Sequence, residues 1–191
     1  MPLVLLSGPA VEPVSLAESK AHLRVDHASE DALIASLVLT SRLHIEAAFG
    51  LALVTQTWRL VRDAWPDGDR IDLPLGPLQA IEAVRVATAP ATITVLPAAD
   101  YEVDGVGSPP RLVAVGQRFP ASTRKTGGIE IDMRVGYGDA AADVPEPIRQ
   151  AILMLVAHWY EHRDPIEIGT PATRIPAAVG DLLAGLRKVR L

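Results

Sequence analysis

Residues 129–135 read IEIDMRV: apolar Ile129, Ile131, Met133 and Val135 alternate with charged Glu130, Asp132 and Arg134. A period of two is the signature of a β-strand with one buried and one wet face. Working backwards, residues 53–62 (LVTQTWRLVR) are rich in β-branched and aromatic types. Four shorter candidates lie between, at 80–87 (AIEAVRVA), 92–96 (TITVL), 100–103 (DYEV) and 111–115 (RLVAV). Gly, Pro, Asp and Ser stretches such as PDGD, LPLGPL and DGVGSPP separate them and supply turn chemistry. Residues 53–136 therefore predict an antiparallel β unit of five or six strands.

On both sides the period lengthens to that of a helix. Ser15 to Glu18 has the S-x-x-E form of a capping box, which predicts a helix over about 16–25. A second start is expected at Ser29, with Glu30 and Asp31 at the positive end of the helix dipole. From there Leu33, Ile34, Leu37, Val38, Ser41, His44, Ile45 and Ala48 recur every three or four residues, and Gly50 suits the C-terminal cap. Beyond the β unit, Pro145 and Pro147 fit a first helical turn. They open a helix to about 162 with Ile148, Ile152, Leu155, Val156 and Trp159 turned inward. Residues 166–176 read as an extended arm and about 177–188 as a last amphipathic helix. The fold class expected is α+β: a helical body from about 15–50 and 145–163, a β insertion at about 53–136, and a projecting C-terminal tail helix. Residues 1–165 form one domain in this reading, and 166–191 the arm.

Composition narrows the function. The chain has 191 residues, 49% of them hydrophobic, enough for a substantial core. Its longest apolar runs fall short of the roughly 20 residues of a membrane span, and MPLVLLSGPAVEP lacks the basic start of a signal peptide, so a soluble chain with no membrane partner is expected. The absence of cysteine rules out disulfides, thiolate catalysis and Cys-based zinc. A formal charge of -5 argues against tight binding of DNA by the whole surface.

One motif invites chemistry. His158, Glu161 and His162 in HWYEH fit the inverted zinc-peptidase pattern H-x-x-E-H. Such a site also needs a third protein ligand and a cleft, few acidic residues follow, and Trp159 and Tyr160 mark a helix that packs. The expected role is a helix end, with no metal, no cofactor and no enzyme activity. Arg118, Arg124 and Lys125 form a small basic cluster in a loop.

Taken in order, PVSLAESKAHLRVD (13–26), SEDALIASLVLTSRLHIEAAFGLALVTQTWRL (29–60), LPLGPLQAIEAVRV (73–86), DYEVD (100–104), IEIDMRVGYG (129–138) and VPEPIRQAILMLVAHWYEHRD (144–164) resemble the head-tail connector, or adaptor, proteins of tailed bacteriophages and phage-derived gene transfer agents. The resemblance runs from about residue 13 to 165. It implies a ring of about twelve copies at the head-tail junction, bridging portal and tail or stopper protein and extending a channel through which DNA passes without specific binding. It further implies that the terminal arm docks on the portal, for which Ile175, Val179, Leu182, Leu183, Leu186, Arg187, Lys188 and Arg190 are the candidates. Leu33, Leu37, Arg42, His44 and Glu46 of the long helix are candidates for packing between subunits. Arg118, Arg124 and Lys125 are candidates for loops facing the next tail component. Two alternatives remain open at the level of sequence: another tail-completion or assembly protein, and a zinc-dependent hydrolase using His158, Glu161 and His162. The last helix could also fold back on its own subunit.

Overall fold

Ser15 begins the helical part as its capping box requires. Its amide donates to Glu18 Oε2 at 2.8 Å and its Oγ accepts from the Glu18 amide at 3.1 Å, opening α1 (Leu16–Leu23). Arg24 turns left-handed (φ 59°) and ends the helix two residues short of expectation. The next helix, α2 (Asp31–Phe49), starts two residues later than predicted. Ser29 does not cap it: its hydroxyl lies 2.7 Å from His27 Nδ1. Gly50, with φ 64°, closes α2 as the sequence suggests. We describe here a computed structural model, which covers residues 2–89, 92–116, 118–162 and 177–186. It is an α+β chain of helices and antiparallel sheets.

The chain divides into two units, one of residues 1–10 and 50–137, the other of 11–49 and 138–191. In the first, a five-stranded sheet has the order β1 (Leu3–Ser7), β2 (Gln56–Arg62), β8 (Ile129–Val135), β4 (Leu78–Ala89), β5 (Thr92–Val95). Every neighbouring pair is antiparallel. A second sheet of three strands has the order β3 (Arg70–Asp72), β7 (Arg111–Ala114), β6 (Tyr101–Asp104). Two strands escape sequence reading: β3 is only three residues long, and β1 is apolar up to its final Ser7 and shows no alternation.

The opening motif IEIDMRV is β8, the centre of the larger sheet, with the predicted boundaries. Ile129, Ile131, Met133 and Val135 are fully buried, facing Leu60, Val84 and Val86 of the flanking strands and Ile71 and Leu112 of the smaller sheet within one core. Each such side chain contributes about 1.5–3 kcal/mol relative to exposure. The predicted wet face is only partly wet. Asp132 is buried because two guanidiniums roof it: Arg59 grips both oxygens at 2.6 and 3.0 Å, and Arg85 Nη1 sits 2.6 Å from Oδ2. The strand ends at Gly136, whose φ of 133° and a backbone 2.7 Å from the place of any Cβ leave room only for glycine.

In the second unit α1 and α2 pack with α3 (Glu146–Glu161). Ile34, Val38 and Ile45 of α2 and Ile148, Ala151, Ile152, Leu155 and Val156 of α3 form its core. Arg149 ties the ends together, donating to the Pro13 carbonyl at 3.1 Å, Glu146 at 2.8 Å and Glu18 at 2.5 Å. Contrary to the reading of apolar runs, α2 is long and apolar enough to cross a membrane by length and composition. Its inward row is spent on this core, and it carries the buried charges of Arg42 and Glu46. A short helix, α4 (Ala177–Leu182), follows and lies beside α3.

Candidate assembly surfaces

The HWYEH segment ends α3 and caps it. The His162 amide donates to the His158 carbonyl at 3.0 Å, and its Nδ1–H donates to the same oxygen at 2.9 Å. The two imidazoles lean together, 4.7 Å between centroids. His158 Nε2 is buried without a hydrogen-bond partner among the described residues. No group of three His, Asp or Glu side chains able to hold a metal gathers there or elsewhere among the described residues. Trp159 receives His44 edge-on at 5.9 Å, and the Tyr160 hydroxyl donates to Glu30, so this stretch binds α3 to α2. The arrangement is that of a helix terminus fastened to its neighbour.

The candidates on α2 separate into two groups. Arg42 and Glu46, expected at a subunit contact, are instead buried inside their own unit. Arg42 donates through Nε and Nη2 to Glu12 at 2.8 and 3.3 Å and through Nη1 to Glu46 at 2.7 Å. Burial pulls the Arg42 pKa down, but its bonds and charge contacts with the two glutamates outweigh this and raise it above the ordinary value. This cluster turns the buried arc of the helix toward Arg42 and Glu46, leaving Leu33, His44 and Ala48 on its exposed flank. Leu37 is half-buried. Beside the buried arc on its Glu46 side, Leu39 and Leu43 stand one turn apart, 42% and 50% exposed. Together they form an exposed apolar pair on this helix. The sequence reading did not single out Leu39 and Leu43, since the apolar residues of α2 occupy nearly every face and spacing alone does not say which stay uncovered.

Of the tail candidates, Val179 and Leu183 are buried within the second unit and Leu182 is exposed. Ile175, Arg187, Lys188 and Arg190 lie outside the described residues, as does the side chain of Leu186. Arg118, Arg124 and Lys125 are exposed on the connection between β7 and β8. That connection is fastened down: the Thr123 amide and hydroxyl both donate to the Ala87 carbonyl, at 2.8 and 3.1 Å, and the Gly127 amide donates to Asp63 at 2.7 Å. Arg124 borders a shallow depression with Arg85, Ile93 and Glu130. The three cations thus project from an anchored loop and have no ion pair among the described residues.

Sequence reasoning missed the apolar rims of the larger sheet. Val4, Leu5 and Leu6 on β1 and Ile93 and Val95 on β5 are all exposed. The composition of β1 was the available signal, but without a partner strand it could not be told from any short apolar run.

Comparison with known proteins bears on these surfaces. The family model described as phage gp6-like head-tail connector protein matches residues 13–89. Among solved structures, a chain in the neck of an empty GTA particle computed with C6 symmetry superposes with a TM-score of 0.85 at 28% identity, over 100% of this chain and 97% of that one. A chain in the virion of a native gene transfer agent (GTA) particle gives 0.84 at 28% identity, over 100% and 97%. A chain in the neck of a native GTA particle computed with C12 symmetry gives 0.74 at 30% identity, over 98% and 97%. No curated protein matches. Agreement in sequence and in fold over nearly the whole length of both chains makes this a structural protein and not an enzyme: the chain belongs to the phage gp6-like head-tail connector family.

Proposed function

We propose that the protein closes a ring of about twelve copies that bridges portal and tail and prolongs the DNA channel between them. It is a virion component of the head-tail junction. The observation that carries the ring is the full-length likeness to chains of necks computed with C12 and C6 symmetry. The exposed Leu39 and Leu43 supply an apolar surface for a neighbouring copy, while Leu33, Leu37 and His44 lie on the other flank of the helix. In a closed ring each copy presents two different faces to its neighbours, so such a surface is covered at every junction. At -5 per chain the ring is strongly acidic and repels phosphates, which lets a genome slide without sticking.

The arm from residue 166 onward reaches the portal in this reading, through Leu182, Leu186 and the basic Arg187, Lys188 and Arg190. Val179 and Leu183 anchor its helix to the subunit that extends it. Arg118, Arg124 and Lys125 face the tail or stopper protein from their fastened loop. Electron microscopy of the protein mixed with its portal tests the proposal: axial rings beneath the portal are expected, and portals that stay bare under conditions of full occupancy overturn it.

A further inference from the structure

The larger sheet has two open edges, β1 at one side and β5 at the other. Neither has a ladder partner beyond β2 and β4 among the described residues. Soluble proteins blunt such edges with lysine, proline or an inward charge. Here β1 (LVLLS) and β5 (TITV) contain no charged residue and no proline. Pro2 and Pro9 stand just outside β1 and mark off its open length.

The register places side chains on the two edges of the same face. Val4 lies opposite Arg59, which lies opposite Asp132. Val95 lies opposite Arg85, which lies opposite Glu130, two residues from Asp132, and Ile93 is two residues from Val95. Directly paired residues share a face, as do residues two apart on a strand. Val4, Ile93 and Val95 therefore all stand on the charged face of Arg59, Asp132, Arg85 and Glu130, one at each end of it for the two strands. They are β-branched, apolar and 45%, 48% and 57% exposed. Within one subunit the two ends are separated by three strands, so only another copy brings them together.

Direction matches as well. With every neighbour antiparallel in the order β1-β2-β8-β4-β5, strands β1, β8 and β5 run the same way. Rotation about a ring axis preserves the sense of a strand along that axis, so β5 of one copy meets β1 of the next in parallel. We propose that ring neighbours join edge to edge, β5 of one subunit pairing in parallel with β1 of the next, with Ile93 and Val95 packed against the next subunit's Val4. The inference rests on the ring proposed above and names the second copy of this chain as the occupant of both edges.

The chain has no cysteine, so introduced thiols report without background. In portal-bound assemblies, double variants Val4→Cys with Ile93→Cys and Val4→Cys with Val95→Cys should give, on mild oxidation, a ladder of cross-linked multimers on a denaturing gel in at least one register, while each single variant stays monomeric. Val4→Lys combined with Ile93→Lys changes only exposed side chains; it should leave the melting temperature of the free subunit in place and abolish rings on portal. Dimers from a single-cysteine variant would mean two-fold edge pairing and overturn the proposal. So would rings, intact in micrographs, whose double variants give no ladder and whose lysine variant still assembles. If the unmodified protein forms no ring on portal, the connector role itself fails, and this inference with it.

Discussion

At the scale of the residue, Asp132 shows how far a wet-face position can depart from solvent. Burial raises its pKa, and hydrogen bonds and charges from Arg59 and Arg85 more than reverse that, so its carboxyl titrates below the ordinary range. Glu18, bonded to Ser15 and near Arg149, is likewise depressed. The unfolded chain takes up these protons first, so the stability they contribute is present in full above a pH of about 5, where the unfolded carboxylates are ionised, and is lost as pH falls through the folded values. Asp132→Asn should cost about 2 kcal/mol near neutral pH, by removing the charge that Arg85 pairs with and leaving Arg59 with Glu130 alone. It should also flatten the loss of melting temperature below about pH 4, the rest of that slope belonging to Glu18 and other carboxylates. Thermal melts across pH check both. Gly136→Ala should cost about 2–3 kcal/mol, from positive φ and the backbone of Val54 and Thr55, with no compensating contact. Both residues belong to motifs visible in sequence; the roofing of Asp132 was not, since Arg59 and Arg85 come from strands far away in the chain.

At the scale of the element, α2 carries one buried row and one exposed apolar pair. Ile34 and Val38 face the core, so Val38→Ala or Ile34→Ala should lower stability by about 2–4 kcal/mol in chemical denaturation of the free subunit. Leu39→Ser with Leu43→Ser should change it by less than about 1 kcal/mol, since both positions are exposed, yet prevent rings on portal in micrographs. Unchanged rings would remove α2 from the interface. The helical period identified α2, and the capping chemistry of Ser15 and Gly50 set helix ends. Ile34, Val38 and Ile45 turn inward, and Glu12, on a segment before α1, pairs with Arg42, which pairs with Glu46 at the edge of that row.

At the scale of the whole molecule, deletion of residues 170–191 separates two roles of the tail. Because Val179 and Leu183 are buried in the second unit, the truncated protein should melt at a lower temperature than the full chain. Loss of portal binding by the part that still folds is expected of a docking arm, and a truncated protein that binds portal as well as the full chain would leave the tail an anchoring role alone. By itself the sequence determined the class of the fold, the β8 strand, the three principal helices and the order of segments that resembles the connectors, because periods of 2 and 3.6 and caps are written locally. Tertiary structure alone decided that β1 is a strand and an edge, that β8 is central, that a predicted wet face holds a buried carboxylate, and which leucines of α2 stay uncovered. Those outcomes depend on which distant segments meet, and no local pattern records the partner of a strand or of a charge.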